Sequence, residues 1–501
     1  MKNAAVPHTG LLPEKPTLSV CMIVRDEEKA LPRCLKSLKG VADELIVVDT
    51  GSKDDTIAIA KHFGAKIFHF KWCDDFAAAR NESLKHATGD WILHVDADEE
   101  LLPSSIPYLN ESMLRSKVLC FLVQCDNGTR CVGQRFYWTG RLLRRHPKLR
   151  YHRPYHETLD ASIQDLILGE PQWQLAHEPN IVIRHHGYEP SKMPKKWERG
   201  LRIMKSYLKE NPNDAYVLTK IGGTCCNLGR YDEAEAYLKR AIEINPDGSE
   251  TNYALGVTLQ KQNKLEAAIR CYKKAIAGDP ILAEARANLG AVYIQKGMLD
   301  TAISELKRAL AANPELASAH RHLGLAYINK GSYDQGIAES KKAIAINPRI
   351  ASAHTNLAMA YTKKGMLDDS VAEYKLVLAL TPEDAKAHTN LGVAYEKMGM
   401  LDKAIAQHQK AIRIDPDLTA GYINLGAAYH MKGMFDEAVA QYERVLQIDA
   451  DDADAHHNLA IAYYGKGVHK KAIEHCDRAV ALGAEIQPQL LALLKRYRQR
   501  L

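Results

Sequence analysis

The sequence has no cysteine pair in C-x-x-C spacing, no G-x-G-x-x-G and no G-x-x-x-x-G-K-[ST]. It also has no apolar run approaching the ~20 residues that span a bilayer. The ten cysteines are scattered between positions 21 and 476, which argues against a zinc site or a disulfide framework and leaves them as small core residues. Missing glycine fingerprints exclude the usual backbone cradles for dinucleotides and triphosphates. A net charge of +6 over 501 residues is too small for a general nucleic-acid binder, and no nucleic-acid motif occurs. The opening stretch, MKNAAVPHTGLLPEKP, contains three prolines and no signal-type apolar core, so a cytoplasmic chain without a membrane span is expected.

What the sequence does contain is first of all a repeat. Proline recurs at 212, 246, 280, 314, 348, 382 and 416, always 34 residues apart, and Ala450 takes the next slot. Leu-Gly or Leu-Ala pairs and tyrosines keep the same step, which is the tetratricopeptide period. Small residues such as Gly256, Gly290, Ala302 and Ala309 allow paired helices to approach, and proline ends each second helix. Eight repeats over 215–486 are predicted, with a linker and lone helix over 191–214 and a C-terminal capping helix over 487–501. Gly336 and Ser370, standing where alanine is usual, are expected to loosen their two helix pairs. His320, His354, His388 and His456 share one register position. Helices roughly 8–10 Å apart hold them too far from one another to share one ion, so packing and hydrogen bonding are expected there.

Residues 17–190 alternate short apolar strands (LSVCMIV, ELIVVD, AKIFHF, WILHV) with amphipathic helices, which predicts an α/β domain with a largely parallel sheet; residues 1–16 read as a flexible segment. Ligands of such sheets gather beyond the carboxyl ends of the strands, and three of those ends are polar here: RDEE, DTGSKDD and DADEE. Asp96 and Asp98, two apart in an extended segment, would project to one side and suit a hard divalent cation able to bridge a pyrophosphate. A solvated loop, or the acidic first turn of a helix after Pro103, is the alternative reading of the same residues.

These motifs, with WCDDFAAARNESLKHATGDWILHVDADEEL and a later His-Glu, resemble family 2 glycosyltransferases of the A-type nucleotide-sugar fold, especially the bacterial branch with peptide glycosyltransferases. The resemblance is strongest over 17–101. It implies a UDP-sugar donor and a divalent metal, Mn²⁺ or Mg²⁺. It places Asp49 on the uracil, Arg25 and Glu27 at the nucleoside, Asp96 on the ribose side and Asp98 on the metal. The family often has Asn-Glu where this chain has Arg25-Asp26-Glu27. Arg80 enters the same rim and either faces phosphate or pairs with Asp74 or Asp75. Arg141, Arg144, Arg145, Lys148 and Arg150 form either a solvated basic face or a further donor contact. By the same resemblance Glu157 is the general base of an inverting transfer, and His186, ahead of His185, completes the metal shell.

The sixth residue of each repeat, on its first helix, is asparagine in five of eight cases: Asn288, Asn356, Asn390, Asn424 and Asn458. Mid-helix asparagine gains nothing locally, but its amide both donates and accepts, so a row of them suits an extended polypeptide backbone. Otherwise these amides face water as part of a common repeat consensus. The expected protein is a nucleotide-sugar glycosyltransferase acting on a protein or peptide held by its repeats. A repeat scaffold whose transferase domain has lost activity, and an enzyme with a glycan or lipid-linked acceptor, are the rivals.

Overall fold

A computed structural model describes residues 16–127, 136–187, 193–486 and 488–498. The expected flexible segment 1–16 lies, but for Pro16, outside the described residues. The chain divides into two compact units, residues 1–280 and 281–501.

The first unit opens with β1 (Leu18–Val24), α1 (Leu31–Ser37), β2 (Glu44–Asp49), α2 (Thr56–His62), β3 (Lys66–His69), α3 (Phe76–His86) and β4 (Trp91–His94). It continues with β5 (Glu99–Leu101), α4 (Ile106–Met113), β6 (Val118–Asp126), β7 (Phe136–Arg144), α5 (Asp160–Gly169) and β8 (Gln174–His185). The eight strands form one sheet in the order β3-β2-β1-β4-β7-β6-β8-β5. Pairings among β1 to β4 are parallel, whereas β4–β7, β6–β7 and β5–β8 are antiparallel. The β6–β8 pairing is parallel too, so four of the seven described pairings are parallel and the sheet is mixed, with every antiparallel pairing at or beyond β4.

Apolar residues on both faces of β1 explain its central place. Val20 and Met22 pack toward α1 and α4 with Leu31, Leu35 and Leu109, while Cys21 points to the opposite face with Ala77 of α3 and Ile163 of α5. The registers Val24↔Asp49 and Cys21↔His94 bring the carboxyl ends of β2, β1 and β4 to one edge. Strand order reverses beside β1, the place where such sheets open a ligand crevice.

Residues 193–278 of this unit are helical. A long helix, α6 (Met193–Glu210), precedes two helix pairs, Ala215–Asn227 with Tyr231–Ile244 and Ser249–Lys261 with Leu265–Gly278. The second unit continues the same 34-residue step with six further pairs, from Ala283–Gln295 to His469–Ala481, and then Pro488–Arg498. The turn inside a pair demands a left-handed residue, which is glycine in seven pairs and Asn263 in the eighth. A Cβ on Gly256 would lie 2.7 Å from the Tyr272 ring, which is why glycine follows leucine there.

The pairs at Gly336 and Ser370 are not loosened. Ile328 fills the space beside Gly336, and buried Ser370 donates to the Ala358 carbonyl at 3.0 Å. Each repeat histidine bridges a side chain nineteen residues on and a carbonyl six residues back; His320, for example, contacts Glu339 at 2.6 Å and the Pro314 oxygen at 3.0 Å. No helix among the described residues is long and apolar enough to cross a membrane.

Candidate active site

Two loops are laced at the ends of β1 and β2. Asp26 accepts from the Lys53 amide at 2.7 Å, the Asp26 amide donates to Ser52 Oγ at 3.1 Å, and the Glu27 amide donates to Thr56 Oγ1 at 2.7 Å. Buried Asp49 accepts from the amides of Gly51 and Ser52 at 3.1 and 3.0 Å, so its carboxylate shapes the turn that leaves β2. Arg25 is exposed, with Asp26 at 3.9 Å. Glu27 sits half-buried without a hydrogen-bond partner for its carboxylate among the described residues. Burial, and next the charge of Asp98, push that carboxyl up to about 7.

Beyond β4 the chain is not extended as expected. It turns at Ala97–Asp98, with the Glu99 amide donating to the Asp96 carbonyl at 3.0 Å and the Asp96 amide to Glu99 Oε2 at 2.8 Å. The two aspartates consequently diverge. Asp96 turns inward, accepting from Arg80 Nη2 at 2.9 Å and lying 3.6 Å from Arg141 Nη2. Burial alone would raise its pKa, but the two guanidinium groups outweigh burial and hold it below the usual carboxylate range. Arg141 also donates to buried Glu99 at 2.8 Å, a residue whose carboxyl is nonetheless pushed up to about 7 by burial.

Asp98 turns the other way, to His185 Nε2 at 3.2 Å. The cause is the β5–β8 pairing, which sets Glu99 opposite His185. His186, the expected metal ligand, instead places its ring 2.8 Å from Glu100 and donates its backbone amide to the Asp98 carbonyl at 2.9 Å. Burial opposes both charges, yet the mutual hydrogen bond lowers the pKa of Asp98 and raises that of His185. Gly187 completes this corner, because a Cβ built there would overlap Asp98 Oδ2 and lie 3.1 Å from His185 Nε2. No group of three or more possible metal ligands gathers among the described residues. One carboxylate and one imidazole, at a corner where only glycine lets the backbone approach Asp98 so closely, still fit a hard divalent cation whose other positions are filled by diphosphate and water.

Arg80 joins this corner to the His-Glu loop. α3 begins at Asp75, whose side chain accepts from the Ala78 amide at 2.9 Å, and Asp74 lies 3.3 Å from Arg202. Arg80 is therefore not the surface partner of either aspartate. It is buried one turn further on and donates from Nε to Glu157 Oε1 at 2.7 Å. The loop carrying Glu157 is pinned by a two-way bridge between His152 and Thr158, with left-handed backbone at Arg153 and His156 (φ 71° and 55°). Arg153 donates at 2.9 Å to Asp214, which caps the first repeat helix, and lies over the Tyr216 ring. The first repeat thus buttresses the loop.

In the repeats, Asn356 is buried and donates to the Arg321 carbonyl at 2.9 Å, whereas Asn288, Asn390, Asn424 and Asn458 are half-buried. Gly187, Glu99 and Asp214 escaped the reading from sequence; for Gly187 the signal was the HHG at the end of β8.

Residues 19–167 match the Glycosyl transferase family 2 model, and tetratricopeptide repeat models match within 213–467. A TPR repeat-containing protein of Synechococcus elongatus is 42% identical over 228 residues, covering 45% of this chain and 56% of the relative. The SPbeta prophage-derived glycosyltransferase SunS of Bacillus subtilis is 29% identical over 241 residues, covering 46% and 54%. An uncharacterized glycosyltransferase of Rickettsia typhi is 34% identical over 110 residues, covering 21% and 37%. The chain spans about half the length of the first two relatives and less of the third. It joins a family 2 glycosyltransferase domain to a run of tetratricopeptide repeats.

Proposed function

We propose that the protein is an inverting glycosyltransferase that moves a sugar from UDP to a hydroxyl or thiol of a polypeptide. The observation that carries this reading is the pair of hydrogen bonds that Arg80 donates, one to Asp96 of the D-x-D turn and one to Glu157 of the His-Glu loop. It supports Glu157 as a base beside the donor corner. Asp49, Arg25 and Glu27 line the nucleoside end, and Asp96 takes the ribose side.

In the transfer, the acceptor oxygen or sulfur forms a bond to the anomeric carbon from the face opposite the diphosphate. The bond from that carbon to the phosphate oxygen breaks, its electron pair leaving on UDP, while the acceptor proton passes to Glu157. Asp98 and His185 would hold Mn²⁺ or Mg²⁺, which when bound supplies Lewis-acid neutralisation of the diphosphate. Arg80 keeps Glu157 oriented, and Asn390, Asn424 and Asn458 hold the acceptor's backbone. SunS is named a glycosyltransferase, and this supports the reading of the domain.

Calorimetric titration of UDP with Mn²⁺ and with chelator tests the donor half. Binding should require the metal and fail in Asp98→Ala. Equal affinities under both conditions would remove the metal from the reading.

A further inference from the structure

Glu157 forms part of the wall of a cavity of about 660 Å³ between β7, α5 and β8. One end is polar, closed by Glu157, Arg80 and Arg141; Arg80 Nη1 and Arg141 Nε there have no hydrogen-bond acceptor among the described residues. The rest of the lining is chiefly apolar, with Thr139, Asp160 and Gln164 interspersed. Ile163 and Ile167, one turn apart on α5, form its floor, and Trp138, Leu168 and Leu175 form its rim.

The rim is unusual for its exposure. Leu168 is 74% exposed, Leu175 46% and Trp138 44%, and they make up three of the five large hydrophobic residues left exposed among described residues 16–187. Scattered exposed apolar residues are ordinary, but three around the mouth of one cavity mark a binding surface. A sugar would meet few partners against leucine and isoleucine, whereas an aliphatic or aromatic side chain would bury against them. The polar end, with guanidinium N–H groups and the base, suits the carbonyls and nucleophile of a peptide.

We propose that this cavity receives an apolar side chain of the acceptor polypeptide, adjoining the residue that is modified. The proposal rests on Glu157 as base and on a polypeptide acceptor, and it adds a local sequence preference to the shape reading by the repeats. Such a preference follows from burying apolar area at the site of transfer, independently of what holds the rest of the chain.

The test uses the full chain with UDP and Mn²⁺ and dye-labelled Gly/Ser peptides whose central serine is followed by leucine, phenylalanine or serine. Fluorescence anisotropy should show the leucine and phenylalanine peptides binding about ten-fold tighter or more than the serine peptide. Leu168→Ser combined with Leu175→Ser should abolish that preference, and Leu168→Met with Leu175→Met, which retains the apolar rim, should keep it. Equal affinity for all three peptides, or a preference surviving the serine variant, overturns the proposal. Octyl glucoside binding in place of every peptide would assign the cavity to a lipid-like ligand and overturn it as well. UDP-sugar turnover on the same samples separates the two readings. A missing preference with turnover intact removes the cavity assignment alone, and a preference without turnover removes the transferase reading and with it the cavity's acceptor role, leaving only a peptide-binding pocket.

Discussion

Arg80 Nε lies 2.7 Å from Glu157 Oε1 while its Nη2 lies 2.9 Å from Asp96 Oδ1, so one buried guanidinium ties the D-x-D turn to the His-Glu loop. Removing it leaves two carboxylates without their shared counter-charge. Arg80→Gln should destabilise the protein by about 3–5 kcal/mol and abolish turnover, and Arg80→Lys should recover part of the stability but not the two-way geometry. Thermal melting with single-turnover assays checks both; a melting temperature unchanged in Arg80→Gln would contradict the linkage.

At the metal corner the two neighbouring histidines should behave differently. His185→Gln should weaken Mn²⁺-dependent UDP binding about ten-fold or more, whereas His186→Gln, whose ring faces Glu100, should change it little. Gly187→Ala should impair binding as His185→Gln does, since its methyl would overlap the Asp98 carboxylate and displace it. Calorimetry on the three variants decides, and a larger loss in His186→Gln would reverse the assignment.

The sequence made β1 to β4 legible because each strand is a short apolar run ended by a polar cluster, and the helices between them carry their own periodicity. The repeats were legible for the same reason, extended over eight copies. The rest of the site depends on pairings between distant residues. Nothing near Asp98 says that β5 will lie against β8, and it is this pairing that sets His185 beside Asp98, turns His186 to Glu100 and bends the D-x-D segment into a turn. Arg80 looked like a rim residue because its two partners stand 16 and 77 positions away. Asp214, inside a repeat cap, gave no sign that it would anchor Arg153.

Glu27 predicts a pH dependence of stability. Its carboxyl is pushed from 4.5 up to about 7 in the fold, so the native state binds the proton more tightly than the unfolded chain. Stability should therefore fall as pH rises from about 4.5 to about 7, the penalty being fully present above that window. Glu27→Gln should raise stability at pH ~8 by about 1–2 kcal/mol, allowing for solvent screening of a half-buried group, and have little effect at pH ~5. Calorimetric melting at the two pH values checks the sign; an equal effect at both would contradict it.

The asparagine row predicts a separation of activities. Replacing Asn390, Asn424 and Asn458 by alanine should leave donor hydrolysis intact while acceptor modification falls, because those amides lie far along the chain from the donor residues. Asn356→Ala should instead lower stability, since its amide is already spent on the Arg321 carbonyl. Parallel hydrolysis and glycosylation assays distinguish the two, and unchanged modification in the triple variant would remove the row from acceptor binding.

In the proposed transfer to a polypeptide, Glu157 takes the acceptor proton. Mass spectrometry of peptides from cells carrying the intact protein, Glu157→Gln, or neither tests it most directly. Sugar-bearing peptides should appear only with the intact protein, with UDP binding retained in Glu157→Gln and turnover reduced roughly 10²–10⁴-fold. Equal glycosylation by Glu157→Gln, or no peptide that distinguishes the three strains, would contradict it.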